Sequence, residues 1–277
     1  MSQRQATLVQ LTDTHLLEGE KLLHGRIDTW SRTVAALSAT AHFAPDAVLV
    51  TGDIADRGQQ IYNRAARLFE RAEQELGCPV IVVPGNHDPA GAVAAGFNRT
   101  RQAGGPFPAD TVHEVAGLRI IGVESHGFGQ VQGTLTQEQL QWLLGVLATP
   151  APGGSVLAMH HPPIDATLPG LVGRGLANPA QLAAVLEGSD VHAILCGHYH
   201  LPSTGNLGAI PVWVAPAVSY NHNIFAPSHL IQGLDTSWIS VVKVGGSTLS
   251  ASPVQVATAA AVFTREVAVP VRQPVLL

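Results

Sequence analysis

Short apolar runs alternate with longer amphipathic stretches along most of the chain. The runs 7–11 (TLVQL), 47–51 (AVLVT), 79–83 (PVIVV), 118–123 (LRIIGV), 155–159 (SVLAM) and 193–196 (AILC) are aliphatic or β-branched. Most end in a turn signal, so each is predicted to be a strand. The stretches 29–42, 58–76, 136–147 and 178–187 are predicted to be helices. In the third of these, Leu140, Leu143, Leu144 and Leu147 fall on one helical face. Thr136 with Gln139 reads as a capping box, and Asn178 before Pro179 as N-cap and first helical position. Strands alternating with helices predict an α/β architecture with largely parallel pairing. From 204 to 250 the pattern changes to short strands between Gly, Pro and Ser turns: 210–214 (IPVWV), 229–232 and 238–244 (WISVVKV). That predicts a second, more antiparallel sheet. Residues 1–250 read as one domain. Residues 251–277, rich in Ala, Val and Pro, read as an apolar tail packed on the body or on a dimer partner.

Polar side chains stand where five of the runs stop. Thr12, Asp13, Thr14 and His15 follow TLVQL, and Gly52, Asp53, Asp56 and Arg57 follow AVLVT. Gly85, Asn86, His87 and Asp88 follow PVIVVP, His160 and His161 follow SVLAM, and Gly197, His198, Tyr199 and His200 follow AILC. In open α/β sheets, sites form beyond the carboxyl ends of the strands, so five such ends can surround one point. Carboxylates gathered there would repel one another and raise each other's pKa unless a cation intervened. Imidazole with carboxylate suits Mn, Fe, Co, Ni or Zn, and a donor set without Cys is atypical of structural zinc. On an extended chain, residues i and i+2 point to the same side. Asp13 with His15, and His198 with His200, would then face one centre, while the adjacent His160 and His161 would point apart. The glycines before Asp53, Asn86 and His198 would let the backbone turn tightly.

Composition narrows the classes. Hydrophobic residues make up 46 % and charged residues 13 %, which supplies a large core and argues against disorder. The formal charge is −5, and no block of Lys and Arg suggests a nucleic-acid surface. A bound cation could still draw in a small anionic substrate. Cys78 and Cys196 sit beside apolar runs and are expected to be buried hydrophobes rather than a disulfide framework. The start of the chain lacks an apolar signal core, and no uninterrupted apolar stretch of about 18 residues is present. A soluble cytoplasmic protein without an integral membrane segment is expected.

The ordered set D-x-H, GD-x-x-D, GNHD, HHPP and GHYH, spanning residues 13 to 200, resembles the calcineurin-like metallophosphoesterase superfamily. QLTDTH, GDIADRG, VVPGNHD, LAMHHPPI and AILCGHYH look like the bacterial class III cyclic-nucleotide phosphodiesterases of mycobacterial type. The resemblance implies an α/β (α+β) fold, a four-layer αββα sandwich of two mixed β-sheets flanked by helices. It also implies two metal ions, of Mn, Fe, Zn or Co. Asp13, His15, Asp53 and His200 would hold one, and Asp53, Asn86, His160 and His198 the other, with Asp53 bridging. Two ions about 3.5–4 Å apart can clamp an in-line displacement at phosphorus, with a bridging hydroxide as the attacking group. His87 would protonate the leaving oxygen or bind a phosphoryl oxygen. Related motifs carry Gly where His161 stands, so His161 is expected behind the ligands or facing substrate.

Other residues keep two readings. Asp88 orients His87 or closes the turn. Asp56 is expected as a helix cap or turn residue, and Arg57 as a phosphate contact or a solvated helix start. His126, Asn221 and His222 are candidate base or ribose contacts. His24, His42, His113, His192 and His229 lie in no motif and are expected to be surface or satisfied core residues. The implied function is hydrolysis of cyclic nucleotides, 3′,5′-cAMP to 5′-AMP. Other phosphodiesters (2′,3′-cyclic nucleotides or glycerophosphodiesters) form the alternative scope, and a non-catalytic metal-binding module the alternative of another class. The partner expected is a small-molecule phosphodiester, not nucleic acid; a homodimer is a further expectation of the resemblance.

Overall fold

The computed structural model describes residues 5–56, 61–97, 103–125, 130–227, 229–245 and 248–256. The chain runs β1 (Ala6–Leu11), α1 (Thr29–Thr40), β2 (Ala47–Thr51), α2 (Ile61–Leu76), β3 (Val80–Val83), α3 (Ala90–Gly96), β4 (Ala103–Gly104), β5 (Thr111–Val115) and β6 (Leu118–Gly122). It continues α4 (Gln137–Leu147), β7 (Ser155–Ala158), α5 (Pro179–Leu186), β8 (Val191–Cys196), β9 (Ser203–Leu207) and β10 (Ile210–Val214). Two short strands, β11 (Asn221–His222) and β12 (Gly233–Leu234), precede β13 (Trp238–Gly245) and β14 (Thr248–Gln255).

Two large mixed sheets form, in the orders β14-β13-β1-β2-β3 and β4-β5-β6-β7-β8-β10-β9, with β11 and β12 as a separate two-stranded pair. Alternation along each strand explains the layers. Leu8, Leu49 and Ile81 meet Ile120, Val156 and Leu195 in the core between the sheets. Their neighbours Val9, Val50 and Val82 face the other way, onto Leu37, Ala65 and Phe69 of α1 and α2. Ile121, Leu157 and Ile194 face outward onto Leu140, Leu143 and Leu182 of α4 and α5. Strands covered on both faces must be apolar at successive positions, and this is why the runs were legible. The four-layer sandwich expected from the resemblance is the fold observed.

Parallel pairing aligns the strand ends. Leu11 lies opposite Val50, and Thr51 opposite Val83. In the second sheet Ala158 lies opposite Leu195. Five carboxyl ends therefore open at one edge of the sandwich.

Several expectations are corrected. Residues 204–250 do not build one separate second sheet: β9 and β10 extend the second large sheet through β8, β13 and β14 extend the first through β1, and the short β11–β12 pair stands apart. A strand's apolar pattern says nothing about which sheet edge receives it. Residues 229–232 are not a strand; β12 follows them and pairs with β11. The boundary expected at 250/251 falls inside β14, while 257–277 lie outside the described residues. The capping box of α4 forms as read, but Leu144 is exposed, and buried Gln139 takes a place on the inner face. Asn178 holds the N-cap position of α5 without capping it. Its amide instead grips Leu135 N–H and C=O, so α5 is tied to the start of α4. Cys78 and Cys196 are free and buried. Among the described residues no helix is long and apolar enough to cross a membrane.

Candidate active site

Backbone hydrogen bonds stitch the strand-end loops together. Asp13 N–H donates to Gly52 C=O at 2.9 Å, His15 N–H to Asp53 C=O at 2.9 Å, and Gly197 N–H to His160 C=O at 3.0 Å. Two glycines make this approach feasible. A Cβ on Gly52, whose φ is +93°, would lie 2.4 Å from the His160 ring, and one on Gly85 would lie 2.2 Å from the Asp53 carboxylate. Asp88 closes the third loop. Its carboxylate accepts from Ile54 N–H, Ala55 N–H, Gly85 N–H and the Tyr62 hydroxyl at 2.7–3.1 Å. These hydrogen bonds go to the loops and Tyr62 rather than to the His87 ring, which supports the turn-closing reading of Asp88.

The side chains do not converge through extended backbone. Asp13, His15, Asp53, His198 and His200 have φ of +52°, +44°, +50°, +75° and +46°. Left-handed backbone at a non-glycine residue costs roughly 1–3 kcal/mol and persists where surrounding structure enforces it, commonly at functional sites. Only three other described non-glycine residues have positive φ: His24, Ala44 and Ala116.

The result is one tight cluster. His15 Nε2 and His200 Nε2 are 3.2 Å apart, and Asp13 Oδ1 is 3.2 Å from His200 Nε2. Asp53 Oδ2 lies 3.6 Å from His15 Nε2 and 3.4 Å from His160 Nε2. His198 Nδ1 is 3.2 Å from His160 Nε2. Four sets of three residues each bring ligand-type atoms within 4.8 Å: Asp13–His15–His200, Asp13–Asp53–His160, His15–Asp53–His87 and His160–His161–His198.

Ring orientations make the donor set coherent. His160 Nδ1 faces Thr51 C=O at 2.7 Å, His200 Nδ1 faces Tyr220 C=O at 2.8 Å, and His198 Nε2 faces Arg174 C=O at 2.9 Å. A carbonyl only accepts, so each of these nitrogens carries the N–H, and in the neutral ring the opposite nitrogen turns a lone pair inward. Lone pairs of nitrogen and carboxylate oxygen thus face one another at 3.2–3.6 Å. Asp13 Oδ1 and Asn86 Oδ1 are buried and accept no hydrogen bond. Such a cluster needs positive charge at its centre, and these residues fit metal ions.

Protonation shows the same demand. Burial pushes the carboxyls of Asp13 and Asp53 up, but His200 and His160 outweigh it and hold both well below the usual range. Burial opposes charge on His160, yet Asp53 and Asp13 raise it to about 9. Burial and the neighbouring His160 push His198 down to about 3.

His160 and His161 do not point apart. The chain bends there, and both rings reach His198, with centroids 4.9 and 4.6 Å from it. His161 is fully buried, paired with the Ser125 hydroxyl at 3.0 Å, and faces no substrate space. His87 is in the cleft with its side chain 34 % exposed. Its N–H donates to Asp53 Oδ1 at 2.9 Å, and its Nδ1 lies 3.0 Å from Asp56 C=O. Asp56 is no mere cap: its carboxylate sits 3.4 Å from His15 Nδ1 and 3.6 Å from His87 Nδ1. The three-residue step from Asp53 to Asp56 was the signal available for it. Asn221 is not a substrate contact. Its amide is consumed by Ala217 N–H and C=O and by Thr236, and it is buried. His222 does line the cleft, as do His24, expected at the surface or in the core, and Tyr220, which belongs to none of the five motifs. His126 and Arg57 lie outside the described residues. The cleft measures about 820 Å³, and Lys21 and Arg174 bring cations to its walls.

Comparison with known proteins agrees with this geometry. A family model for calcineurin-like phosphoesterases matches residues 6–202. A cAMP/cGMP dual specificity phosphodiesterase of Mycobacterium tuberculosis is 36 % identical over 82 % of this chain and 72 % of its own. A probable cyclic nucleotide phosphodiesterase of Rhodococcus erythropolis is 37 % identical over 78 % of this chain and 72 % of its own. A dimetal phosphatase from Danio rerio, at 13 % identity, shares the fold with a TM-score of 0.59 over 91 % of this chain and 99 % of that one. With its five motifs gathered at one edge of a two-sheet sandwich, the chain belongs to the calcineurin-like phosphoesterase family.

Proposed function

We propose that this protein is a two-metal phosphodiesterase that hydrolyses cyclic nucleotides, 3′,5′-cAMP to 5′-AMP. The observation that carries this is the pair of ligand sets meeting at Asp53, whose Oδ2 stands between His15 and His160. Asp13, His15, Asp53 and His200 would hold one ion, and Asp53, Asn86, His160 and His198 the other. Mn, Fe, Zn or Co suit these donors, and such ions would polarise the phosphoryl oxygens and lower the pKa of a bound water.

The chain's own groups do the rest. Asp56 takes up His87 Nδ1 through its carbonyl and carboxylate. That fixes the ring with Nε2 as the nitrogen free to reach substrate. With both ring nitrogens protonated, His87 keeps Nδ1–H on Asp56 and gives the Nε2 proton to the ester oxygen that leaves, or from Nε2–H a hydrogen bond to the phosphoryl group. Hydrolysis adds water across the P–O3′ bond, and the 3′ oxygen departs as a hydroxyl. Lys21 and Arg174 attract the anionic diester from the cleft walls. His222 borders the space beside the phosphoryl position and serves substrate binding. His161 stays behind His160 and His198 as a support.

A substrate panel tests this reading. Mn-loaded protein should hydrolyse 3′,5′-cAMP and the generic diester bis(p-nitrophenyl) phosphate, and Asp53→Ala should hydrolyse neither. Activity confined to 2′,3′-cyclic nucleotides or glycerophosphodiesters would keep the mechanism and move the substrate. Silence on every diester would sink the enzyme reading in favour of a binding module.

A further inference from the structure

Beside the ligand cluster the cleft continues into a side compartment of about 450 Å³. His24, Tyr220, His222 and Ile231 line both spaces. The compartment adds Ile27 and Leu234 as apolar wall and Arg26 as a cation. Ile231 and Leu234 are 47 % and 41 % exposed, an apolar surface left in water next to a highly polar centre. Apolar surface placed in a concavity with a few polar groups is the usual make-up of a ligand pocket.

His24 is the telling residue. It sits at the tip of a tight turn in which Arg26 N–H donates to Leu23 C=O at 3.1 Å. Both central residues have positive φ, +52° for His24 and +70° for Gly25, as in a type I′ turn. Gly, Asn or Asp is preferred at the first of these positions. An exposed histidine there carries strain with no burial to offset it. What the residue gains is position: its ring meets Tyr220 edge-on, with centroids 5.2 Å apart at 77°. Tyr220 is itself set against His200, centroids 4.3 Å apart. Gly233 lies close by, where a Cβ would come within 2.9 Å of the Tyr220 ring. The compartment thus offers an exposed imidazole ring and aliphatic contact beside the ligand cluster.

We propose that this compartment receives the nucleobase of the substrate, with the His24 ring against one face and the aliphatic wall of Ile27, Ile231 and Leu234 beside it. The inference rests on the cyclic-nucleotide reading above and names the subsite that would recognise the base. A nucleobase has apolar faces and hydrogen-bonding edges, which is what the walls complement. The alcohol of a purely aliphatic diester would leave the His24 ring face unused.

Calorimetric titration of Mn-loaded protein with 5′-AMP, ribose 5-phosphate and inorganic phosphate tests it without turnover. Wild type should bind 5′-AMP about tenfold more tightly than ribose 5-phosphate, the size of one stacked base. His24→Gly suits the left-handed turn, so it should melt no lower than wild type. It should lose most of that preference while its affinity for inorganic phosphate is unchanged. Equal affinity of wild type for the two sugar phosphates, binding of neither, or a preference undiminished in His24→Gly would overturn the proposal. Failure to hydrolyse 3′,5′-cAMP with the base preference intact would instead remove the reaction and leave the subsite.

Discussion

Asn86 and His87 are neighbours in sequence with opposite surroundings. Asn86 Oδ1 is buried and accepts no hydrogen bond, while His87 is partly open to the cleft and held by Asp56. Replacing Asn86 with Ala should therefore lower metal content and turnover together. His87→Ala should cut kcat by about 10²–10⁴-fold, the usual contribution of a positioned acid or base, with metal content as in wild type. Elemental analysis beside steady-state kinetics checks both, and an empty metal position in His87→Ala would refute the division of roles. At this scale the sequence was informative where a residue type had one chemical use. Asp13, Asp53 and the motif histidines stood out because a core strand has no use for them. It was uninformative about side-chain direction. Extended chain would set residues i and i+2 on one side, whereas the structure uses left-handed residues at Asp13, His15, His198 and His200. Extended chain would likewise part His160 from His161, which the bend at that point brings together. His24 carried no motif at all, and its place in the cleft depends on a turn that brings it to Tyr220.

Among the elements, the loops after β2 and β3 are joined by Asp88, which satisfies three backbone N–H groups and the Tyr62 hydroxyl. Asp88→Ala leaves those buried donors unmet and should destabilise the fold by about 3 kcal/mol in urea unfolding. A loss within a few tenths of a kcal/mol would show that the loops hold without it. Asp110 gives an element-level pH dependence. Burial raises its carboxyl to about 6, despite hydrogen bonds from Glu124 N–H, Gln139 and Phe107 N–H. A folded pKa above the unfolded value means the folded state binds the proton more tightly. This contribution to stability is full below about pH 4 and is lost as pH rises through about 6. Wild type should therefore gain stability relative to Asp110→Asn between pH 7 and pH 5, read as a widening gap in urea midpoints. A constant gap would contradict it. Six strands and four helices of the first 200 residues were legible, the strands because burial on both faces makes continuous apolar runs; α3, β4 and β5 were not, being short or, in β5, interrupted by His113 and Glu114. The fate of β9 to β14 was not, because pairing partners lie far away in sequence, such as Ala6 with Val244.

For the molecule as a whole, two sheets are packed so that their carboxyl ends present seven ligand-type side chains at one edge. That arrangement sets two buried carboxylates among four imidazoles, a donor set that fits metal ions. Metal loading should consequently stabilise the fold by mass action, about 2.7 kcal/mol at 100 times the dissociation constant. Thermal melts should rise with Mn and fall with a chelator in wild type, and respond far less in Asp53→Ala. The measurement that bears most directly on the dinuclear centre is anomalous diffraction from crystals grown with Mn. Two peaks about 3.5–4 Å apart are expected, Asp53 touching both, with Asp13, His15 and His200 around one and Asn86, His160 and His198 around the other. A single peak, or peaks away from Asp53, would contradict the account.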